Sequence, residues 1–244
     1  MRLTRVFIDA PLEAGTRVTL EGNAASHLTR VLRLRVGASL ALFNGQGGEY
    51  SASIDKAHGG TVIVAVGGHT PVERESPLEL TLAQGVSRGE RMDLVVQKAT
   101  ELGVSRLVPL LTERGVVRLD AQQAQRKLNH WRAIAVAACE QCGRNRLPQL
   151  AAPAALSDFL RGAGAPGHAR LLLSPDATAT LTELARPAAG VTVLIGPEGG
   201  LADEEVRAAI AAGFTAVRLG PRVLRTETAA IAALALLQRQ FGDL

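Results

Sequence analysis

The alternation of apolar strands and amphipathic helices beyond residue 77 is the feature that most restricts how this chain can fold. Short apolar runs predict strands, and they read LELTLAQG, VSRLVPLL, RLLLSP, VTVLIG and TAVRLG. Stretches with apolar residues at helical spacing predict helices, and they read RMDLVVQKATELG, AQRKLNHWRAIAVAACEQCG, DEEVRAAIAAG and TETAAIAALALLQRQF. Strands that alternate with helices predict an α/β domain with a mainly parallel sheet. Such a sheet binds ligands at the carboxyl ends of its strands.

The first 70 residues follow a different pattern. Alternating or continuous apolar runs predict strands, which read TRVFID, RVTL, ASLALFNG, GEYSASIDKA and GTVIVAVGG. One amphipathic helix, NAASHLTRVLRL, interrupts these strands. The segment HTPVERESP contains two prolines and a run of charged residues, and it is typical of a linker. We therefore expect a small β-barrel over residues 1–70 and an α/β domain over residues 74–244.

A glycine-rich loop, Gly-Pro-Glu-Gly-Gly at residues 196–200, follows the apolar run VTVLI. This composition is a costly way to build an ordinary turn, because glycine loses the most backbone freedom on folding, and it therefore indicates a ligand site. Leu201 and Ala202 stand where the phosphate-binding P-loop needs Lys and Ser or Thr, which excludes that motif. The glycine spacing also differs from the G-x-G-x-x-G pattern of dinucleotide sites.

The acidic residues of this region indicate what kind of ligand the loop binds. Glu198 lies in the loop and Asp203 to Glu205 follow it, so a pyrophosphate would be repelled. A zwitterionic or sulfonium ligand with an adenine edge, read by backbone amides, suits the loop better. A second loop, in LGPRVLRTETA, leaves the strand TAVRLG and enters the last helix, for which Thr226 is the predicted N-cap. Two such loops at adjacent strand ends can enclose one ligand from both sides.

Arginine supplies most of a mild positive charge, since 27 Lys and Arg residues against 23 Asp and Glu residues give a net charge of +4. The arginines cluster in HLTRVLRLRVG, EQCGRNRLP and RLGPRVLR. Guanidinium groups bind phosphate through two parallel hydrogen bonds, so these clusters favour a nucleic-acid partner. Each cluster alone is equally typical of a solvated surface.

Several of these segments, taken together, resemble one known family. The stretches QGVSRGERMDLVVQKATELGV, EQCGR, LIGPEGGLADEEV and LGPRVLRTETAAIAAL are similar to the RsmE-type ribosomal RNA uridine-N3 methyltransferases of the SPOUT superfamily. HLTRVLRLRVG and FNGQGGEY are similar to the N-terminal domain of that family, so the resemblance covers nearly the whole chain. A single GPEGG is weak evidence, but GPEGG followed by LGPRVLRTETA is specific.

The resemblance implies a fold, a reaction and partners. The fold is an N-terminal PUA-like barrel and a C-terminal SPOUT domain whose chain end forms a trefoil knot, contrary to the general rule against knots. The reaction is methylation of N3 of a uridine in small-subunit ribosomal RNA, with S-adenosylmethionine as the methyl donor. The partners are that RNA, free or in an assembled small subunit, and a second copy of the chain in a homodimer.

The resemblance also implies which residues form the site. Three loops provide the cofactor pocket, and their residues are Leu173, Ser174, Gly196, Glu198, Gly199, Gly200, Leu219, Gly220, Arg222, Val223, Leu224, Arg225 and Thr226. For the chemistry, Arg225 is the candidate that binds phosphate or stabilises the uracil anion. Glu198 and Glu227 are alternative candidates for the general base, although for Glu198 the favoured role is to hold its loop in shape through hydrogen bonds to backbone amides, and Glu227 is also typical of a first-turn helix carboxylate. The RNA-binding candidates are His27, Arg30, Arg33 and Arg144.

Two alternatives remain open at this point. The chain could be a non-catalytic RNA-binding or ribosome-assembly factor, although such a factor has no use for the two loops and Arg225. It could also be a methyltransferase that acts on another RNA position, because fold resemblance does not define the target.

The remaining features suggest structural roles and a cytoplasmic protein. Cys139 and Cys142 lie within a predicted helix without a second ligand pair, and the five histidines lack metal-ligand spacing, so we expect no metal site. Trp131 is expected in the core, and RGAGAPGHA predicts a loop. We expect no signal peptide and no membrane span, because the apolar runs are too short.

Overall fold

The computed structural model describes residues 3–162 and 167–244. These residues divide into two compact units. The first unit comprises the described residues up to Glu75 together with Cys139–Leu147, and the second comprises Ser76–Ala138 and Pro148–Leu244. Residues 163–166, at the centre of the loop predicted from RGAGAPGHA, lie outside the described residues.

The first unit contains one five-stranded sheet, in the order β1-β3-β4-β5-β2. The strands are β1 (Thr4–Phe7), β2 (Arg17–Leu20), β3 (Ser39–Phe43), β4 (Glu49–His58) and β5 (Thr61–Thr70). β1 and β3 are parallel, and the other pairs are antiparallel. The interrupting helix, α1 (Gly22–Ser26), continues into a π-helical turn (His27–Val31). Leu28 of this turn is fully buried with Leu40, Leu42 and Ile54, so the apolar face of the helix closes the core of the unit.

The segment Cys139–Leu147 belongs to the first unit through polar contacts. The buried amide of Asn145 accepts a hydrogen bond from Arg5 Nη2 at 2.6 Å and donates one to the Val72 carbonyl at 2.6 Å. The backbone N–H of Phe7 donates to Glu140 Oε1 at 2.9 Å. These contacts satisfy groups that would be costly to bury unpaired. Sequence patterns alone give no sign of this return of the chain.

The second unit contains the predicted parallel sheet, in the order β12-β10-β11-β6-β7-β8, with β9 also paired to β7. The strands are β6 (Glu79–Gly85), β7 (Arg106–Leu111), β8 (Gln149–Leu150), β9 (Ala154–Ala155), β10 (His168–Leu173), β11 (Gly190–Ile195) and β12 (Thr215–Val217). Every pair between these strands is parallel. The sequence-based expectation of an α/β domain is thus confirmed, while the trefoil knot stays a prediction.

Helices cover both faces of this sheet. They are α2 (Glu90–Glu101), α3 (Ala121–Cys142), α4 (Leu156–Gly162), α5 (Asp203–Ala211) and α6 (Thr226–Phe241), with a 3-10 turn at Leu181–Glu183. One core joins the sheet to α2 and α6, and the other joins it to α4 and α5. Trp131 is only 1% exposed in the first of these cores, as predicted. Within the described ranges, no helix is both long and apolar enough to span a membrane.

The starts of α5 and α6 differ from the sequence-based predictions. Because Ala202 has no capping side chain, the sequence favours Asp203 as the cap of α5, but the cap position in the structure is Ala202, whose backbone N–H donates to Glu205 Oε2 at 2.9 Å. The predicted N-cap role of Thr226 is also wrong, because Thr226 is the first helical residue of α6 and Arg225 precedes it. The hydroxyl of Thr226 is engaged elsewhere, as described below.

Candidate functional site

A cavity of about 980 Å³ lies in the second unit at the carboxyl ends of three neighbouring strands. The loop after β11 and the loop after β12 provide its opposite walls, and residues 173–176 after β10 lie between them. The two loops were expected at adjacent strand ends, but β10 separates them in the sheet. A third loop therefore contributes to the cavity, and its place agrees with the rule that parallel sheets bind ligands at this edge.

The loop at residues 196–200 is folded tightly upon itself. A Cβ added to Gly196 would lie 3.0 Å from the Gly200 carbonyl carbon and 3.0 Å from the Leu201 nitrogen. Gly200 has a φ of +69°, which side chains rarely adopt, and its N–H donates to the Pro197 carbonyl at 2.9 Å. The loop also presses on β6, since a Cβ on Gly85 would lie 2.5 Å from the Pro197 nitrogen. These close approaches explain why the sequence uses glycine here.

Buried hydrogen bonds join this loop to α6. The Thr226 hydroxyl donates to the Gly196 carbonyl at 2.6 Å and accepts from Gln84 Nε2 at 2.9 Å. Gln84 lies on β6 and is fully buried. The start of α6 is thereby fixed to the ends of two strands, and this explains why Thr226 does not serve as a cap.

Glu198 points out of its loop towards the start of α2. Its Oε1 accepts hydrogen bonds from the backbone N–H of Arg88 at 3.0 Å and from Arg91 Nη1 at 2.8 Å. Partial burial raises the pKa of the Glu198 carboxyl, but the hydrogen bonds from its own backbone N–H, from Arg91 and from Arg88 outweigh burial, so the pKa lies below its ordinary value. Glu198 is therefore ionised and already engaged as an acceptor.

Glu227 lies in the first turn of α6 and lines the same cavity. It is only 8% exposed, and its Oε2 has no hydrogen-bond partner within the described part of the chain. Its Oε1 lies 4.0 Å from Arg91 Nε, which is an ion pair rather than a hydrogen bond. A buried carboxylate with an unused acceptor oxygen is unusual and requires an explanation.

Four arginines that line the cavity were not among the predicted site residues, and they are Arg91, Arg114, Arg207 and Arg218. Two of them, Arg91 and Arg114, come from segments outside the predicted loops and the helices that follow them. Arg91 lines the cavity from α2, and Arg114, which follows β7, donates from Nη1 to the Leu201 carbonyl at 3.1 Å. Both come from segments that follow a strand of the parallel sheet. Parallel sheets bind ligands at the carboxyl ends of their strands, and these two segments lie at such ends. Only the strand order, which the sequence does not show, places them beside the glycine loops.

The predicted cofactor residues are brought together with one exception. All of them line the cavity except Gly199, where an added Cβ would instead lie 3.1 Å from the Arg114 carbonyl oxygen. Glu227 and Arg225 line the cavity as well. The three candidates for the chemistry therefore share one site.

The lining fits a nucleoside that carries a positive charge. Ile195, Val217, Leu219 and Leu224 provide apolar surface, and loop backbone provides donors and acceptors. Oε2 of Glu227, which has no hydrogen-bond partner among the described residues, suits a nearby cation. Arginines also line the cavity, and they suit the phosphates of a polynucleotide; they are Arg91, Arg114, Arg207, Arg218, Arg222 and Arg225.

Three of the four RNA-binding candidates lie together in the first unit. His27, Arg30 and Arg33 are exposed on the π-helical turn and the residues that follow it. Apolar side chains are exposed beside them, with Val31 at 66% and Val36 at 62%. Arg33 has a φ of +51°, a strained conformation for a residue with a side chain. The strain is consistent with a functional reason for keeping arginine there.

Arg144 does not belong with them. Its side chain is only 5% exposed, and its Nε and Nη2 both donate to the carboxylate of Glu75. A guanidinium held in this way is not accessible to phosphate. The expectation that Arg144 binds RNA is therefore wrong, because its charge is used inside the first unit.

Comparisons with known proteins agree with this geometry. Residues 74–238 match an RNA methyltransferase domain family, and residues 20–66 match an RNA methyltransferase PUA domain family. A ribosomal RNA small subunit methyltransferase E of Buchnera aphidicola from Schizaphis graminum is 33% identical over 243 residues, covering 100% of this chain and 98% of that protein. The enzyme of that name from Synechocystis is 37% identical, covering 89% of this chain and 71% of that protein.

Two solved structures are similar over the full length of both chains. A methyltransferase from Legionella pneumophila in complex with S-adenosylmethionine has a TM-score of 0.95 at 43% identity, covering 100% of each chain. A ribosomal RNA small subunit methyltransferase E from Neisseria gonorrhoeae, bound to S-adenosylmethionine, has a TM-score of 0.91 at 34% identity, covering 100% of each chain.

Proposed function

This chain belongs to the ribosomal RNA small subunit methyltransferase E family, and from that premise we propose that it methylates N3 of one uridine in small-subunit ribosomal RNA, with S-adenosylmethionine as methyl donor. The observation that carries the proposal is the cavity in which three strand-end loops and several arginines meet a carboxylate, Glu227, whose Oε2 has no hydrogen-bond partner among the described residues. Both full-length structural relatives hold S-adenosylmethionine.

We assign cofactor binding to the three loops. Leu173 and Ser174 would contact it from the middle strand, with residues 196–200 and 219–226 on either side. When bound, S-adenosylmethionine supplies an electrophilic methyl carbon on a positively charged sulfur. The protein contributes chiefly position, because holding the reacting atoms in line accounts for a large part of such a barrier.

The charged side chains perform the remaining tasks. Removal of the N3 proton leaves negative charge on the uracil ring, and the exposed guanidinium of Arg225 at the cavity is placed to stabilise it or to bind an adjacent phosphate. A carboxylate, Glu198 or Glu227, accepts the proton directly or through water. Glu198 reaches the cavity from the loop after β11, and Glu227 reaches it from the first turn of α6.

RNA binding extends to the first unit in this proposal. Arg30 and Arg33 contact phosphates, and His27 lies beside them on the same exposed turn. The substrate is the RNA itself or the assembled small subunit, and the enzyme works in the cytoplasm as a homodimer.

The test is methyl transfer from labelled S-adenosylmethionine to small ribosomal subunits from cells that lack this protein. Mass spectrometry of the nucleosides is expected to show 3-methyluridine, and Arg225→Ala is expected to abolish it. Arg126→Ala, which changes an exposed arginine of α3 outside the cavity, serves as the control. A different methylated nucleoside would indicate another RNA target. No transfer and no cofactor binding by calorimetry would favour an RNA-binding factor.

A further inference from the structure

We propose that Arg91 gives the two carboxylates different roles: it fixes Glu198, and with it the glycine loop, to the start of α2, and it orients Glu227, whose free oxygen accepts the N3 proton of the target uridine. This inference rests on the proposed function and deepens it. It makes Glu227 the catalytic base and Arg91 a positioning residue.

Glu198 is a poor candidate for the proton acceptor because two hydrogen bonds already occupy one of its oxygens, Oε1, and hold the side chain against α2. Oε1 receives two donors, the Arg88 N–H at 3.0 Å and Arg91 Nη1 at 2.8 Å. These bonds connect the glycine loop to the start of α2. They also hold the pKa of Glu198 below its ordinary value, which weakens it as a base. Its role is thus to hold the loop.

Glu227 has the opposite environment. The residue is only 8% exposed, lines the cavity, and leaves Oε2 without a hydrogen-bond partner among the described residues. An unsatisfied buried carboxylate oxygen costs free energy, and enzymes keep such groups where a substrate completes the hydrogen bond. The N3–H of a uracil ring is a donor of the kind that this oxygen requires.

Arg91 lies between the two carboxylates and can act on both. Its Nη1 is bonded to Glu198, while its Nε lies 4.0 Å from Glu227 Oε1. The attraction directs one oxygen of Glu227 towards α2, but the distance is too long to occupy that oxygen as a hydrogen bond. The other oxygen, Oε2, therefore stays free for substrate.

The step is balanced without another reactant. The N3 proton passes to Glu227, and the nitrogen electron pair forms the new bond to the methyl carbon. The electron pair of the broken carbon–sulfur bond stays on sulfur, which leaves as a neutral thioether. The protonated Glu227 returns its proton to water before the next turnover.

The experiment uses small subunits reconstituted with RNA that contains either uridine or 5-fluorouridine. Fluorine at C5 withdraws electrons and lowers the pKa of N3–H, so a defective base matters less on that substrate. Single-turnover rates at saturating S-adenosylmethionine are measured for the wild type and for Glu227→Gln, Glu198→Gln, Arg91→Ala and Arg91→Lys. Cofactor affinity is measured separately by calorimetry. Glu101→Gln, a carboxylate of α2 paired with Lys98 away from the cavity, is the matched control.

Glu227→Gln is expected to slow methylation of uridine by about 100-fold or more, with cofactor affinity nearly unchanged. On 5-fluorouridine it is expected to recover at least about tenfold, and this rescue cannot arise from a purely structural role. Glu198→Gln is expected to weaken cofactor binding without rescue by fluorine. Arg91→Ala is expected to show both defects at about 10- to 100-fold, and Arg91→Lys to restore part of the activity.

Three results would overturn the inference alone: wild-type rates for Glu227→Gln, no rescue of that variant by fluorine, or equal rescue of Glu198→Gln. If the wild type makes no 3-methyluridine from uridine-containing subunits, the proposed function fails, and the inference fails with it. The two failures are therefore distinguishable.

Discussion

Gly85 lies at the end of β6 and makes no contact through a side chain, yet its replacement by alanine is expected to disable the cofactor loop. An added Cβ would lie 2.5 Å from the Pro197 nitrogen, 2.6 Å from its Cδ and 2.9 Å from the Gly196 carbonyl carbon. Ordinary contacts begin at 3.4 Å, so the loop must retreat by about 0.9 Å. All three contacts are with backbone or a proline ring, which cannot rotate out of the way.

The effect on stability and on function should differ in size. Overpacking of this kind costs about 1 to 3 kcal/mol of unfolding free energy, which the second unit can tolerate. A displacement near 1 Å at the reacting centre can reduce the rate by about 100-fold. We therefore expect a folded protein with a lowered melting temperature, weakened S-adenosylmethionine binding and little methylation.

Calorimetric titration with the cofactor and thermal unfolding without it measure the two effects. Gly162→Ala is the matched control, because a Cβ there meets nothing within 4 Å and its φ is not in the left-handed region. Gly85→Ala protein that binds the cofactor with wild-type affinity and methylates at the wild-type rate would refute the argument that the β6 end supports the loop.

Three further predictions concern other contacts of the two units. Arg33→Gly is expected to stabilise the protein by up to about 1 kcal/mol in thermal unfolding, because glycine adopts a positive φ without strain. Arg33→Ala is not expected to stabilise it. Both variants should reduce the slope of log affinity for RNA against log salt concentration by about 0.7 to 0.9, because each loses one phosphate contact. Thr226→Val removes the hydroxyl that binds Gln84 and the loop carbonyl, so it is expected to cost about 1 to 3 kcal/mol, and Thr226→Ser should restore part of that loss. Because folding lowers the pKa of Glu198, the stability that this carboxylate contributes is fully present above the ordinary glutamate pKa of about 4.3 and is lost as pH falls below it. The difference in melting temperature between the wild type and Glu198→Gln should therefore disappear below that pH. A difference that is constant from pH 7 to pH 3 would contradict this.

Local patterns predicted the elements well because burial acts on each element separately. The apolar alternation of the first unit and the helical spacing of α2, α5 and α6 identify strands and helices within a few residues. α4, β8 and β9 were not predicted, since a helix of seven residues and strands of two are too short to show a period. The Thr226 cap failed because tertiary hydrogen bonds outweighed a local preference.

The sequence predicted only part of the site, because strand order brings some of its residues together from distant parts of the chain. The loops after β11 and β12 have a distinctive local composition, so both could be predicted without knowledge of the strand order. Arg91 and Arg114 reach the cavity because β6 and β7 follow β11 in the sheet, although they precede it in the chain. The burial of Arg144 likewise depends on Glu75, which is distant in sequence. Such long-range partners leave no local pattern.

The return of Cys139–Leu147 to the first unit also determines when that unit can complete its folding during synthesis. The ribosome makes the chain from the N-terminus, and the 63 residues Ser76–Ala138 of the second unit are made between Glu75 and the returning segment. Protein synthesis adds roughly 5 to 20 residues per second, so Asn145 is made several seconds after Arg5 and Val72. The hydrogen bonds of Asn145 to Arg5 and to the Val72 carbonyl form only after that delay. The N-terminal unit is therefore finished only when more than half of the chain has left the ribosome, and a protein cut after Glu75 would lack the polar groups that complete it.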